Sequence, residues 1–188
     1  MTGDGWTHAA ELETLRLWAR GVRVAVEVGT WTGRSASAIC TGMDEGGGGT
    51  LFCVDHFMGA QNLEDVYVEV ATPEGRAGVR EAWRTRMFPW VSTGRCFLLE
   101  TESATAAKLL TCMLQTAQLP SLIFLDGDHH NEAIARDLDL WQPLLAAGGV
   151  LCGHDYPEVR GTVDARFGHL RGDKRLVVGP LTLWRIRL

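Results

Sequence analysis

Five carboxylates, Glu27, Asp55, Glu100, Asp126 and Asp155, each close an apolar run of the kind that forms a buried strand: "RVAVE", "TLFCVD", "RCFLLE", "SLIFLD" and "GGVLCGHD". One carboxylate at a strand end reads as loop polarity or as a cap on the next helix. Five around one crevice exceed what capping needs, and like charges brought together are unfavourable without a compensating cation. The constellation therefore implies a positively charged ligand, a metal ion, or both.

The stretch "VAVEVGTWTGRSASAI", residues 24–39, adds a glycine turn between a strand and the small residues that open a helix. It is close to a dinucleotide-binding loop, except that Trp31 stands where a glycine lets backbone approach the pyrophosphate. An indole blocks that approach, and the surrounding carboxylates repel phosphate. A cofactor with a ribose, cationic groups and no phosphate suits the site better. S-adenosylmethionine has these features: a sulfonium, an ammonium group, and ribose hydroxyls suited to a carboxylate on the second strand.

These residues need a frame. Apolar spacing predicts a first helix in "HAAELETLRLWARG", then a strand over 23–28 and a helix over 33–43. Strands follow in "TLFCVD", "RCFLLE", "SLIFLD" and "GGVLCGHD". Helices are expected over 103–116 and through Ile134, Leu138, Trp141 and Leu145. "KRLVVGPLTLWRIRL" closes the chain as two strands around Gly179-Pro180, too tightly linked for a parallel crossover. The expected fold is α/β, Rossmann-like and doubly wound. It has a mostly parallel seven-stranded sheet, an antiparallel C-terminal strand and helices on both faces. One domain spans 1–188, with residues 57–91, which mix Val66, Tyr67, Trp83, Phe88 and Trp90 with charges, expected as a partly helical lid over the active site.

Composition narrows the class. The 188 residues carry 18 Lys+Arg against 23 Asp+Glu, a net charge of −5 with the arginines scattered, so nucleic acid is not an expected partner. No apolar stretch approaches the ~20 residues of a membrane span, and "MTGDGWTH" is unlike a signal peptide. The five cysteines form no CxxC pair, which fits reduced thiols and a cytoplasmic setting. The apolar first helix and the lid could supply a surface for homo-oligomers.

"VEVGTWTGRSA" resembles the first motif of class I S-adenosylmethionine-dependent methyltransferases of the catechol type. "FLDGDHHNEAIARDLDLWQPLLAAGGVLCGHDY" is similar to the branch that methylates macrolide sugars and rhamnose. The resemblance runs from about Val24 to Tyr156. It implies that Glu27 and Gly29 border the methionine part of the cofactor, with Thr30, Gly33 and Ser35 close by. Asp55 would take the ribose hydroxyls, and Thr101, Glu102 and Ser103 would lie near the adenine. In metal-dependent relatives, positions matching Asp126, His154 and Asp155 hold magnesium. His154 departs from the oxygen donors magnesium prefers, so manganese or another softer ion is the alternative, or His154 lies behind the ligands. His129, three residues after Asp126, matches the general base.

The implied chemistry is O-methylation of a small-molecule hydroxyl, on a sugar, a catechol or another natural product. The acceptor must lose its proton, which a positioned histidine can take and a metal can loosen. In "DGDHH", Gly127 allows a turn, Asp128 suits a cap on the next helix and His130 reads as polar surface, while His56 could border the site. Two rivals stand beside this reading: a nicotinamide-dependent oxidoreductase, and a non-catalytic protein that keeps the cofactor pocket.

Overall fold

The computed structural model describes residues 7–59, 70–114, 118–171, 176–179 and 181–188. Helix α1 (Ala9–Trp18) precedes β1 (Val24–Val28), and α2 (Arg34–Glu45) leads to β2 (Thr50–Val54). Then come α3 (Pro73–Val91), β3 (Cys96–Leu99), α4 (Ser103–Met113), β4 (Leu122–Leu125), α5 (Asn131–Trp141) and β5 (Val150–Gly153). Helix α6 (Tyr156–Phe167), β6 (Leu176–Val178) and β7 (Trp184–Arg187) complete the chain.

The seven strands form one sheet in the order β3-β2-β1-β4-β5-β7-β6. Strands β1 to β5 pair in parallel, while β7 runs antiparallel to both β5 and β6. That is the expected sheet, reversed terminal strand included. Alternation along the strands divides the core into two layers. Val26, Val28, Ile123 and Leu125 pack with Ala106 of α4, Leu138 and Trp141 of α5, and Val163 of α6. Ala25, Leu51 and Phe124 face the other way, onto Leu15 of α1, Ile39 and Met43 of α2, and Trp83 and Met87 of α3. Each fully buried leucine or isoleucine in these layers contributes roughly 1.5–3 kcal/mol of transfer free energy.

Two elements differ from expectation. The lid over 57–91 is corrected in its second half, because Pro73–Val91 is the crossover helix from β2 to β3. Thr72 caps its start by accepting from the Gly75 amide at 3.1 Å. Val79, Trp83 and Met87 recur every fourth residue and are buried against the sheet side of that layer. The remainder of the expected lid, 60–69, lies outside the described residues. Helix α6 has no counterpart in the sequence reading, although Val159, Val163 and Phe167 keep the same spacing and are all buried. Among the described residues no helix is long and apolar enough to cross a membrane.

Candidate active site

Strands β1 and β4 lie side by side, and the chain leaves them in opposite directions along the sheet: α2 leads to β2, α5 to β5. That arrangement opens a crevice at the strands' carboxyl ends. Gly29 sets its floor. With φ at +86°, a β-carbon there would stand 2.1 Å from the backbone oxygen of Asp126, so only glycine lets the β1 turn cross the end of β4. Trp31 also takes a left-handed φ, +46°, in the conformation a glycine would adopt without strain. Its amide donates to Asp55 Oδ2 at 2.8 Å, and the Phe57 amide donates to Oδ1 at 2.7 Å. Each Asp55 oxygen keeps a lone pair for a further donor. Burial pushes the Asp55 carboxyl up, and these two amides counter it.

The crevice has a volume of about 730 Å³. Gly29, Thr30 and Ser35 line it from the β1 turn, Asp55 from the end of β2, and Thr101, Glu102 and Ser103 from the start of α4. Ser103 is locked from behind: its hydroxyl donates to Asp137 Oδ1 at 2.5 Å and accepts from the Trp141 indole at 2.9 Å. Gly33 does not line the crevice. It is the left-handed N-cap of α2, packed toward Trp83 and Met87.

Two expectations about the carboxylates are corrected. Glu27 is not at the strand end, because β1 continues through Val28. Its side chain follows Ala25 into the α1–α3 layer, is 0% exposed, and neither carboxylate oxygen has a well-formed hydrogen bond among the described residues, although the Ser35 and Thr30 hydroxyls lie near. Glu100 turns away to pair with Arg80, whose Nε lies 3.0 Å from Oε2. Asp55, Asp126 and Asp155 are the three that line the crevice.

Glu27 yields a stability prediction. Burial raises its pKa from the ordinary 4.5 to about 8, against the lowering pull of the Ser35 and Thr30 hydroxyls. Between those values the unfolded chain has lost this proton and the folded chain has kept it, so unfolding releases a proton and stability falls as pH rises. The full window is worth on the order of 5 kcal/mol. Glu27→Gln carries no such proton. Urea denaturation at pH 5 and pH 8.5 should show the variant gaining on the parent at the higher pH; parallel losses in both proteins would place the buried charge elsewhere.

The histidines and two aspartates form one cluster. His129 Nδ1 lies 2.6 Å from Asp155 Oδ2, and His154 Nδ1 lies 3.0 Å from the same oxygen and 3.5 Å from Asp126 Oδ1. Asp155 heads α6 in the left-handed conformation, φ +50°, which turns its carboxylate between the two rings. Burial pushes Asp126 up to about 7, although the charges of His154 and His129 pull it down. At Asp155 burial is overcome by the two histidines, which hold the carboxyl well below the usual range. Burial opposes charge on His129 too, but the bond to Asp155 raises its pKa. His154 is lifted to about 10 against its own burial by Asp155, Asp126 and Glu11.

One donor atom from each of Asp126, His154 and Asp155 lies within 4.8 Å of the others. Two carboxylates and an imidazole fit a divalent ion, and the nitrogen favours manganese, zinc or iron over magnesium. An ion bound there would have to displace the proton that His154 otherwise carries between the carboxylates.

The neighbouring residues behave more plainly. Asp128 accepts from the His130 amide at 3.0 Å and so braces the turn, while His130 itself is the N-cap of α5. His56 lines the crevice and accepts from the Met58 amide at 2.9 Å. Glu11, Arg136, Asp137 and Glu158 are not legible as site residues in the sequence. Arg136, Asp137 and Glu158 line the crevice, and Glu11 touches His154 from α1.

A family described as a methyltransferase domain matches residues 26–156, from the β1 strand to the first residue of α6. No curated protein matches the chain. Several solved structures share the fold. An O-methyltransferase from Bacillus cereus in complex with SAH is 16% identical, with a TM-score of 0.63 over 98% of this chain and 84% of that one. The calicheamicin methyltransferase CalS11 is 18% identical, with a TM-score of 0.64 over 94% of this chain and 76% of that one. The O-methyltransferase NovP is 17% identical, with a TM-score of 0.63 over 94% and 78%.

Proposed function

Because the chain belongs to the methyltransferase family, in its class I S-adenosylmethionine-dependent form, we propose that it methylates a hydroxyl oxygen of a small molecule with the help of a divalent ion. The observation that carries this reading is the His129–Asp155 pair, 2.6 Å apart, beside the Asp126–His154–Asp155 donors. An alcohol does not shed its proton unaided near neutral pH. A base held by a carboxylate, next to a place for a cation, is the equipment that problem calls for. The oxygen acceptors of the Bacillus cereus enzyme and NovP, and the natural-product setting of CalS11, support the same choice.

The chain's own residues divide the work. Asp55 accepts the ribose hydroxyls, and the start of α4 borders the adenine. The Gly29–Ser35 turn holds the methionine end. With Nδ1 committed to Asp155, His129 has Nε2 left to take the acceptor's proton. Asp126, His154 and Asp155 would hold the ion, which would supply polarisation of the acceptor oxygen when bound. As the oxygen–carbon bond forms, the carbon–sulfur bond breaks and its electron pair stays on sulfur, leaving a neutral thioether. Alignment of oxygen, carbon and sulfur supplies much of the rate.

The test is incubation with S-adenosylmethionine and a panel of sugar, catechol and polyketide hydroxyls, with manganese and after chelation. Mass spectrometry should find a methyl group on oxygen. Transfer to nitrogen or sulfur acceptors alone would overturn the reading, and tight NADH binding would restore the oxidoreductase. Cofactor binding is tested separately: Asp55→Ala should weaken it by roughly 2 kcal/mol, the scale of removing hydrogen bonds to a charged group. Unchanged affinity by calorimetry would move the ribose site elsewhere.

A further inference from the structure

Glu11 is a fully buried carboxylate on a helix that contributes no side chain expected to do chemistry. It is nonetheless held on both oxygens. Oε1 accepts from the Thr182 amide at 3.0 Å and from the Thr182 hydroxyl at 2.8 Å. Oε2 accepts from the His8 amide at 2.9 Å and lies 3.2 Å from His154 Nε2. Four donors converge on one carboxylate, from α1, from the segment before β7 and from the end of β5. Three of them anchor it. The fourth is the ring of the histidine whose other nitrogen faces Asp126 and Asp155.

We infer that Glu11 is a positioning residue for the metal centre: by accepting the Nε2 proton of His154, it leaves Nδ1 as the nitrogen that binds the ion. The inference rests on the metal-assisted reading above and deepens it. An imidazole that must ligate through Nδ1 needs its remaining proton on Nε2, and a carboxylate there fixes both the tautomer and the plane of the ring. It also makes the ligand nitrogen more basic. The surroundings offer no easy substitute, since Thr182 and His8 present donors and, among the described residues, only Glu11 presents an acceptor to Nε2. Helix α1 thereby acquires a task beyond covering the sheet. Its N-terminal turn supports one ligand of a site built otherwise from β4, β5 and the start of α6.

Glu11→Gln is the discriminating substitution. Its amide oxygen would stay on Thr182, where two donors require an acceptor. The NH2 would then face His154 and donate to Nε2, driving the ring proton to Nδ1 and blocking the ligand nitrogen, while the His8 amide would lose its acceptor. Manganese titration of the metal-free, full-length protein, followed by the paramagnetic resonance of the free ion, should show affinity weakened by about 10–100-fold. Binding of S-adenosylhomocysteine should be unchanged, which reports an intact fold. In a His154→Asn background the ligand atom is an amide oxygen with no tautomer to fix, so adding Glu11→Gln should cost little more. Thr182→Val should act in the same direction to a smaller extent, and keeps the test open if Glu11→Gln does not fold. Equal manganese affinity in Glu11→Gln and the parent would overturn the assignment. So would an equal loss in the His154→Asn background, which would mark Glu11 as a packing residue only. Failure of the parent itself to take up manganese would instead overturn the metal reading on which the assignment stands.

Discussion

His129→Ala is expected to cut turnover by about 10²–10⁴-fold, the usual worth of a positioned base, while leaving cofactor and metal affinity nearly intact. The asymmetry follows from where the ring sits. His129 touches the cluster only through Nδ1, on an Asp155 oxygen that also contacts His154. Removing the ring deletes the proton acceptor but none of the three donor atoms that would hold an ion. The ascending limb of the pH–rate profile should vanish in the variant, because the group whose deprotonation it follows is gone. An unaltered profile with full turnover would assign proton removal to another group. A matching loss of manganese affinity would mean that His129 is itself a ligand.

The sheet was largely legible because its strands are short apolar runs bounded by glycine, charge or proline, the pattern of strands covered on both faces. Two helices were harder to read for a common reason. In α3 and α6 the buried residues recur every fourth position, but Arg and Glu fill the intervals and dilute the apolar signal. Trp83 and Phe88 in α3 therefore read as a mixed surface. Trp83 is in fact buried, with its indole donating to Thr30 Oγ1 at 3.0 Å, behind the turn from β1 to α2, while Phe88 is 66% exposed.

The site divides along a similar line. Asp55, Asp126 and Asp155 could be placed at the crevice because each follows the carboxyl end of a parallel strand within two residues. Glu27 shows how sensitive that inference is to a single residue: β1 runs one position further than its carboxylate, and the alternation of the strand carries the side chain into the core. Glu11 lies four residues before the buried Leu15 and so on the inward face of α1. A charge at such a position asks for a partner, but the partner, His154, is 143 residues away in sequence. Only the folded sheet brings them together.

Asp155→Asn should be the most damaging change in the cluster. It can be read cleanly because asparagine tolerates the left-handed backbone that Asp155 adopts at φ +50°. The fold of the β5–α6 corner is thus kept and only the anion is removed. That anion serves both histidines through one oxygen, at 2.6 Å from His129 and 3.0 Å from His154. Without it, His129 loses the partner that orients its ring, and a bound ion would lose a charged donor. Manganese affinity and turnover should fall together, turnover by at least the ~10²-fold expected for the base alone. Asp126→Asn should lower both as well, but chiefly through the ion, since no hydrogen bond ties Asp126 to His129 and only its charge reaches that ring. The two variants therefore separate at saturating manganese: Asp126→Asn should recover part of its turnover, and Asp155→Asn should recover little. Equal recovery would show that Asp155 acts on the ion alone and that His129 keeps its orientation without it.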